Sequence, residues 1–273
     1  MVKRAHKGQV FLVDNDVLRR IVDAAEITAD ESVLEIGMGR GELTQHLVRR
    51  AREVVAVEVE ERFVDAAARD FERYDNLTIV HGDILDVDWA ELIPEGRRVV
   101  AVGNVPFYIT GPILKLLGDH RRQLKRWALM LQKEVAARIC APPGGKVYGA
   151  LSVKMQTRGE PYLAFTIPAD AFAPKPAVNA ALVTYRYYDE PEAPLAASEF
   201  FGYFVDFVFA ARRKKVGNRL ATLLGGRLSA AEVASKLREA GFEPAARPED
   251  ISPGEFAGLY ALLEPYLNAE VRG

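Results

Sequence analysis

Short apolar runs rich in valine and isoleucine alternate with amphipathic stretches from residue 18 to about residue 187. That alternation predicts a mostly parallel α/β sheet, whose strands are buried on both faces and therefore read as continuous apolar runs. The expected strands are Ser32–Ile36, Val54–Val59, Leu77–His81, Arg98–Val102, Ala128–Leu131 and Ala181–Tyr187, with helices at Leu43–Arg50, Glu60–Phe71 and Lys133–Cys140 between them. Tyr188–Ser198 carries two prolines and several acidic residues and reads as a linker. Beyond it the pattern is helical, over Phe200–Leu224 and Ala230–Ala240, with Gly225-Gly226 and Gly241 as stops. The expected architecture is a Rossmann-like α/β domain over residues 1–187 and a small all-helical domain over 199–273.

Composition narrows the class. A chain of 273 residues with 49% hydrophobic content has ample material for two cores. The single Cys140 excludes an internal disulfide framework, and no apolar stretch reaches the length of a membrane span. The start, MVKRAHKGQVFLVD, is charged rather than signal-like, so the expected compartment is the cytoplasm. A net charge of −2 excludes a globally basic nucleic-acid binder but leaves room for local basic patches. His6, His46, His81 and His120 lack metal-ligand spacing, so no metal is expected.

The segment LEIGMGRGELT, residues 34–44, follows the first strand and opens a helix. Gly37, Gly39 and Gly41 permit a tight turn and let a ligand approach the backbone. Their GxGxG spacing is one residue shorter than the fingerprint that cradles a pyrophosphate, and Glu42 is a poor neighbour for a diphosphate. An S-adenosylmethionine site fits better than a dinucleotide site. Glu35 of the same motif is a candidate cofactor residue. Glu58 ends the second strand, where a carboxylate accepts both hydroxyls of a ribose. Asp83, at the end of the third, is placed to accept from the adenine amino group. Taken alone, Glu58 is a solvated strand end and Asp83 an N-cap; their joint order at successive strand ends favours the ligand reading.

GNVPFYITGP, residues 103–112, places a polar residue where a parallel strand leaves the sheet. An exocyclic amine on a nucleobase is a poor nucleophile, because its lone pair is delocalised into the ring. Two carbonyls that accept both amino hydrogens favour a pyramidal nitrogen with its lone pair free. Asn104 Oδ1 and the Val105 carbonyl are the candidates, Pro106 fixes the turn, and Phe107 stacks on an extruded base. The plainer alternative has Asn104 capping a helix over Ile109–Leu117 and Phe107 in the core.

This loop resembles the (N/D)PP(Y/F) type of loop in amino-methyltransferases, and the likeness extends along the chain. GQVFLVD, LEIGMGRGELT, GNVPFYITGPIL, MLQKEVAARI, KVYGALSV, FAPKPAVNAALV and FAARRKKVGNRL, in that order, resemble the ribosomal small-subunit RNA adenine N6,N6-dimethyltransferase family, the KsgA/Dim type. The resemblance implies S-adenosylmethionine as cofactor and two adjacent adenosines in a hairpin near the 3′ end of small-subunit rRNA as substrate, on an assembling subunit, with the protein acting as a monomer. It also implies that Gln9, Leu12, Gly37, Glu58, Asp83 and Asn104 line the cofactor, and that Phe172 supplies a second ring against the adenine. Two positions depart from the family pattern: Val10 replaces an asparagine and Phe107 a tyrosine.

Arg212, Arg213, Lys214, Lys215 and Arg219 are the expected RNA-binding cations, with Arg212, Lys215 and Arg219 spaced to share one helical face. Further basic clusters are Arg121, Arg122, Lys125 and Arg126, and Lys3, Arg4 and Lys7. Clustered cations engage phosphates by charge, leaving specificity to RNA shape and an unpaired loop. Two other functions compete: an assembly checkpoint factor acting by binding, and a large-subunit rRNA adenine methyltransferase.

Overall fold

The computed structural model describes residues 10–94, 96–189 and 199–267. Contacts divide the chain into two compact units, one built from residues up to Ala136 with Tyr162–Arg186, the other from Ala137–Pro161 with the chain from Tyr187 onward.

The first unit is organised by a seven-stranded sheet. In chain order its strands are β2 (Ser32–Ile36), β3 (Glu53–Glu58), β4 (Leu77–His81), β5 (Val99–Asn104), β6 (Leu124–Gln132), β7 (Gly159–Ile167) and β9 (Ala180–Tyr187), arranged β4-β3-β2-β5-β6-β9-β7. The five strands from β2 to β6 run parallel to their neighbours, and β9 returns antiparallel against β6. All five residues of β2 are buried, which is why its sequence shows no alternation. The apolar face of α1 (Asn15–Ala24) supplies Val17, Leu18, Ile21 and Val22 to a core shared with Val33, Val54, Val100 and Met130. Asp14 caps α1 by accepting from the amides of Asp16 and Val17. The chain steps from β2 through β3 to β4, then returns to lay β5 on the other side of β2. Strand order therefore reverses between β2 and β5, and a crevice for a ligand is expected beyond their carboxyl ends.

The expected strands all form, two with their expected ends, three with ends shifted by a residue or two, and Ala128–Leu131 grows at both ends into the nine-residue β6. Three strands were not anticipated. The two-residue β1 (Phe11–Leu12) pairs antiparallel with β8 (Phe172–Ala173), a pairing no local pattern announces. β7 lies at the sheet edge and interrupts its apolar positions with Glu160 and Pro161. The expected helix at Leu43–Arg50 contracts to α2 (Thr44–Leu47), while α3 (Glu61–Asp70) and α6 (Lys133–Ile139) form as expected.

The second unit is helical. It contains α7 (Ala150–Gln156), α8 (Glu199–Phe209), α9 (Val216–Leu223), α10 (Ala230–Glu239) and α11 (Pro253–Leu263), around a core of Phe201, Phe204, Val216, Leu220, Phe256 and Tyr260. Reciprocal capping boxes open α10 (Ser229 with Glu232) and α11 (Ser252 with Glu255). The segment 137–161, assigned from sequence to the first domain, packs here instead. Tyr148 is fully buried in this core and its hydroxyl donates to the Ile251 carbonyl at 2.8 Å. The single helix expected over Phe200–Leu224 is broken at residues 210–215 into α8 and α9.

Candidate active site

The glycine turn follows β2 directly. The Gly37 amide donates to the Val57 carbonyl at 2.9 Å, and the Gly39 amide to Glu58 Oε2 at 2.8 Å. Glu58 Oε1 accepts from the Glu60 amide at 2.9 Å, so this buried carboxylate ties the glycine turn to the end of β3. Gly39 has φ +58°, and a Cβ on it would stand 3.1 Å from the Phe11 ring; a side chain there is strained by the backbone and crowds the ring. Phe11 itself is held between the Arg40 guanidinium, 4.3 Å from its ring centre, and an edge-to-face contact with Phe63.

Glu35 is 1% exposed, and its Oε2 accepts from Thr44 Oγ1 at 2.7 Å. Burial pushes its carboxyl up to about 8, against the lowering effect of the Thr44 hydroxyl and with the help of the nearby Glu58 and Glu42 charges, so it holds a proton at neutral pH. Asp83 Oδ1 accepts from the Leu85 amide at 3.0 Å. The local capping role thus occupies one of the four lone-pair sites of the carboxylate.

Asn104 is the last residue of β5, and a close approach puts it there. A Cβ on Gly103 would stand 2.6 Å from the Ile36 carbonyl oxygen, so only glycine lets β5 lie this close to β2 at the switch point. The Asn104 side chain does not cap the following helix α5 (Thr110–Asp119), whose start has no side-chain cap. Instead its Nδ2 donates to the Val10 carbonyl at 3.0 Å. A main-chain carbonyl only accepts, so this contact fixes the amide orientation and leaves Oδ1 as the free acceptor. Val105 is buried, Pro106 has φ −56°, and Phe107 begins a 3₁₀ turn, half-buried and packed against the sheet core.

These pieces surround one cavity of about 220 Å³. Of the sequence-predicted residues, Leu12, Glu35, Gly37, Gly39, Glu58, Asp83, Asn104, Val105, Pro106 and Phe107 line it. Gly41 shapes the turn without lining the cavity, and Gln9 lies outside the described residues. Phe172, expected as a second ring against the adenine, does not line the cavity. It is 4% exposed, in the core with Leu12 and Leu18, because the β1–β8 pairing draws it inward. Among the described residues the lining includes five carboxyl residues, Glu35, Glu42, Glu58, Glu60 and Asp83, and neither lysine nor arginine. Such a cavity is matched to a cationic ligand and mismatched to a diphosphate. Sequence reasoning passed over Phe11 and Tyr108, which also line it; Tyr108 is 68% exposed, and a second aromatic directly after Phe107 in the turn was the available signal.

The sequence model of the ribosomal RNA adenine dimethylase family matches residues 2–249. The chain belongs to this family. It is 38% identical over 257 residues to proteins named ribosomal RNA small subunit methyltransferase A from Bacillus mycoides and Bacillus cereus, covering 92% of this chain and 88% of theirs. The fold is shared with a solved dimethyladenosine transferase from Plasmodium falciparum (TM-score 0.78, 22% identity, 94% of this chain and 98% of that one). It is shared also with the 23S rRNA methyltransferase ErmE (TM-score 0.74, 24% identity, 93% of this chain and 99% of that one). The family departure at Val10 leaves intact the one group the site uses there, the main-chain carbonyl.

The helical face expected for the basic cluster requires a correction. Arg212, Lys215 and Arg219 share no helical face, because residues 210–215 form the turn between α8 and α9 and only Arg219 is helical. Arg212 is spent inside the second unit, donating to Glu249 and to the carbonyls of Lys146 and Gly145 at 2.8 Å each. Arg219 donates to the Phe207 carbonyl and stacks on the Phe207 ring. Arg213, Lys214 and Lys215 are exposed. In the second cluster, Arg126 and Lys125 both pair with the buried Glu31, whose carboxyl the Arg126 guanidinium holds down at about 2, while Arg122 is exposed. Lys3, Arg4 and Lys7 lie outside the described residues. Among the described residues no helix is long and apolar enough to cross a membrane, and no group of three or more His, Cys, Asp or Glu is placed to hold a metal ion.

Proposed function

We propose that the protein dimethylates N6 of adenine in small-subunit rRNA, using S-adenosylmethionine. Its target is two adjacent adenosines of the 3′-terminal hairpin, and it acts as a monomer on the assembling subunit in the cytoplasm. The observation that carries this reading is the Asn104 amide, held by Val10 with its oxygen left as acceptor, in the wall of a carboxyl-rich cavity at the switch point.

In this reading Glu58 would take the ribose hydroxyls and Asp83 the adenine amine, with Gly37 and Gly39 allowing close backbone approach; that all four line the one cavity supports it. When bound, S-adenosylmethionine supplies an electrophilic methyl on a sulfonium and leaves as the neutral thioether. Asn104 Oδ1 and the Val105 carbonyl accept the two N6 hydrogens, which draws the nitrogen out of conjugation and directs its lone pair at the methyl carbon. Phe107 holds the base by stacking. As the N–C bond forms N6 becomes cationic and releases a proton to water, so the loop needs no strong base. After the first transfer one N–H remains, which a single carbonyl can still orient for the second.

The substrate assignment is supported by the 38% identity to small-subunit enzymes across nearly the whole chain, against 24% to the large-subunit enzyme that shares the fold. The test is incubation of the protein with labelled cofactor and small subunits lacking the modification, followed by nucleoside analysis, with Asn104→Ala alongside. Dimethyladenosine that is absent with the variant is expected. Label only on large-subunit RNA overturns the substrate assignment, and binding without label supports an assembly factor instead.

A further inference from the structure

We propose that Tyr108 stacks on the purine next to the adenosine being methylated, and so sets substrate affinity rather than chemistry. The inference rests on the reading above. Tyr108 occupies the middle of the 3₁₀ turn Phe107–Ile109, between Pro106 and the first residue of α5. Its neighbours turn inward: Phe107 packs on the sheet core and Thr110 is 6% exposed. Tyr108 alone in this turn projects a large ring into solvent, 68% exposed, while still lining the cavity. Among the described residues, no hydrogen bond or ring contact engages it. Two other exposed tyrosines, Tyr162 and Tyr203, line no part of the cavity. Exposure by itself therefore distinguishes nothing; position does.

The reaction leaves something for such a ring to do. An adenine that enters the cavity leaves its stack, and the base beside it loses a stacking partner at the cavity mouth. An uncharged aromatic ring at that mouth replaces the lost face, and stacking accepts any base because every base has a π-face. Since both adjacent substrates are adenosines, the base beside the target is a purine in at least one of the two reactions. Purines offer the larger stacking surface.

The test is steady-state kinetics on small subunits lacking the modification, at saturating cofactor, with Tyr108→Ala and Tyr108→Phe, together with cofactor Kd by calorimetry. Tyr108→Ala is expected to raise KM for the subunit about tenfold with kcat within about twofold, the scale of one lost base stack. Tyr108→Phe is expected to match wild type, because the ring and not the hydroxyl stacks, and both variants to keep wild-type cofactor Kd. An unchanged KM in Tyr108→Ala overturns the inference, as does a defect confined to kcat, which would put the ring on the reacting base. A weakened cofactor Kd, which would make the ring a cofactor wall, overturns it too, as does failure of phenylalanine to substitute. A wild-type protein that leaves small-subunit adenine unmethylated removes the parent reading and this role together; an active wild type with an unaffected alanine variant removes this role alone.

Discussion

The Asn104 side-chain amide donates to the Val10 carbonyl across 94 residues of sequence, joining the end of β5 to the residue just before β1. The bond makes the two ends of the amide unequal, one a tethered donor and the other the acceptor that the chemistry uses. Asn104→Asp keeps the shape but sets a second oxygen against the Val10 carbonyl, where two acceptors repel. Methyl transfer by Asn104→Asp at saturating cofactor is expected to fall about 10² to 10³-fold, the range for loss of one positioned polar group. Retention of more than a tenth of wild-type kcat would show that the amide orientation is not what the loop supplies.

Glu58 makes a different division of labour testable. Its two oxygens each accept a main-chain amide, from Gly39 and from Glu60, so both must be acceptors. In Glu58→Gln one oxygen becomes an amino group facing an N–H, and a buried donor loses its partner at about 1–3 kcal/mol. That loss falls on the glycine turn that forms the cofactor cavity, so cofactor Kd measured by calorimetry is expected to rise about ten- to a hundredfold. Turnover at saturating cofactor should stay within a few-fold of wild type. An unchanged Kd would mean the turn holds its shape without Glu58.

How far these relationships were legible in sequence follows from their range. The fully buried parallel strands declared themselves, because burial on both faces leaves continuous apolar runs such as VVAV at Val99–Val102, and Gly37, Glu58 and Asn104 followed from lying at strand ends. The β1–β8 pair did not, since two residues carry no period and their partners lie 160 positions away. That omission accounts for Phe172, which the resemblance set against the adenine and which sits instead in the core, 4% exposed, beside the β1–β8 pairing. The cations misled for a related reason. Helical spacing of Arg212, Lys215 and Arg219 presupposes a helix, and the chain turns at 210–215; Arg212 then meets Glu249, a partner with no local signature. Charge is visible in sequence, whereas whether a charge is already spent is a tertiary fact.

Glu35 ties the cofactor cavity to pH. Its carboxyl is raised by burial to about 8 from an ordinary value of 4.5, so between those values the folded protein keeps a proton that the unfolded chain has released. Stability is then greatest below about pH 4.5 for this group and falls as pH rises toward 8, by at most about 1.4 kcal/mol per pH unit. Glu35→Gln cannot ionise and lacks this decline. Urea unfolding at pH 6 and pH 8.5 is expected to show wild type losing stability relative to Glu35→Gln at the higher pH. A parallel pH dependence in the two proteins would mean that Glu35 titrates normally.

The last prediction separates cations that hold the fold from cations free to meet RNA. Arg212 donates to Glu249 and to two carbonyls, so Arg212→Glu places two carboxylates together and abandons two acceptors; its first effect is a lower melting temperature. Lys214 and Lys215 lie exposed in the turn between α8 and α9, and reversing their charge leaves those bonds intact. Each phosphate contact contributes about 0.7 to 0.9 to the slope of log affinity against log salt. Lys214→Glu with Lys215→Glu is therefore expected to weaken small-subunit binding and flatten the salt slope by about one to two. Melting temperature and cofactor Kd should stay at wild-type values. A weakened affinity with an unchanged slope would mean the loss is not one of phosphate contacts, and an unchanged affinity would return these lysines to the role of a solvated turn.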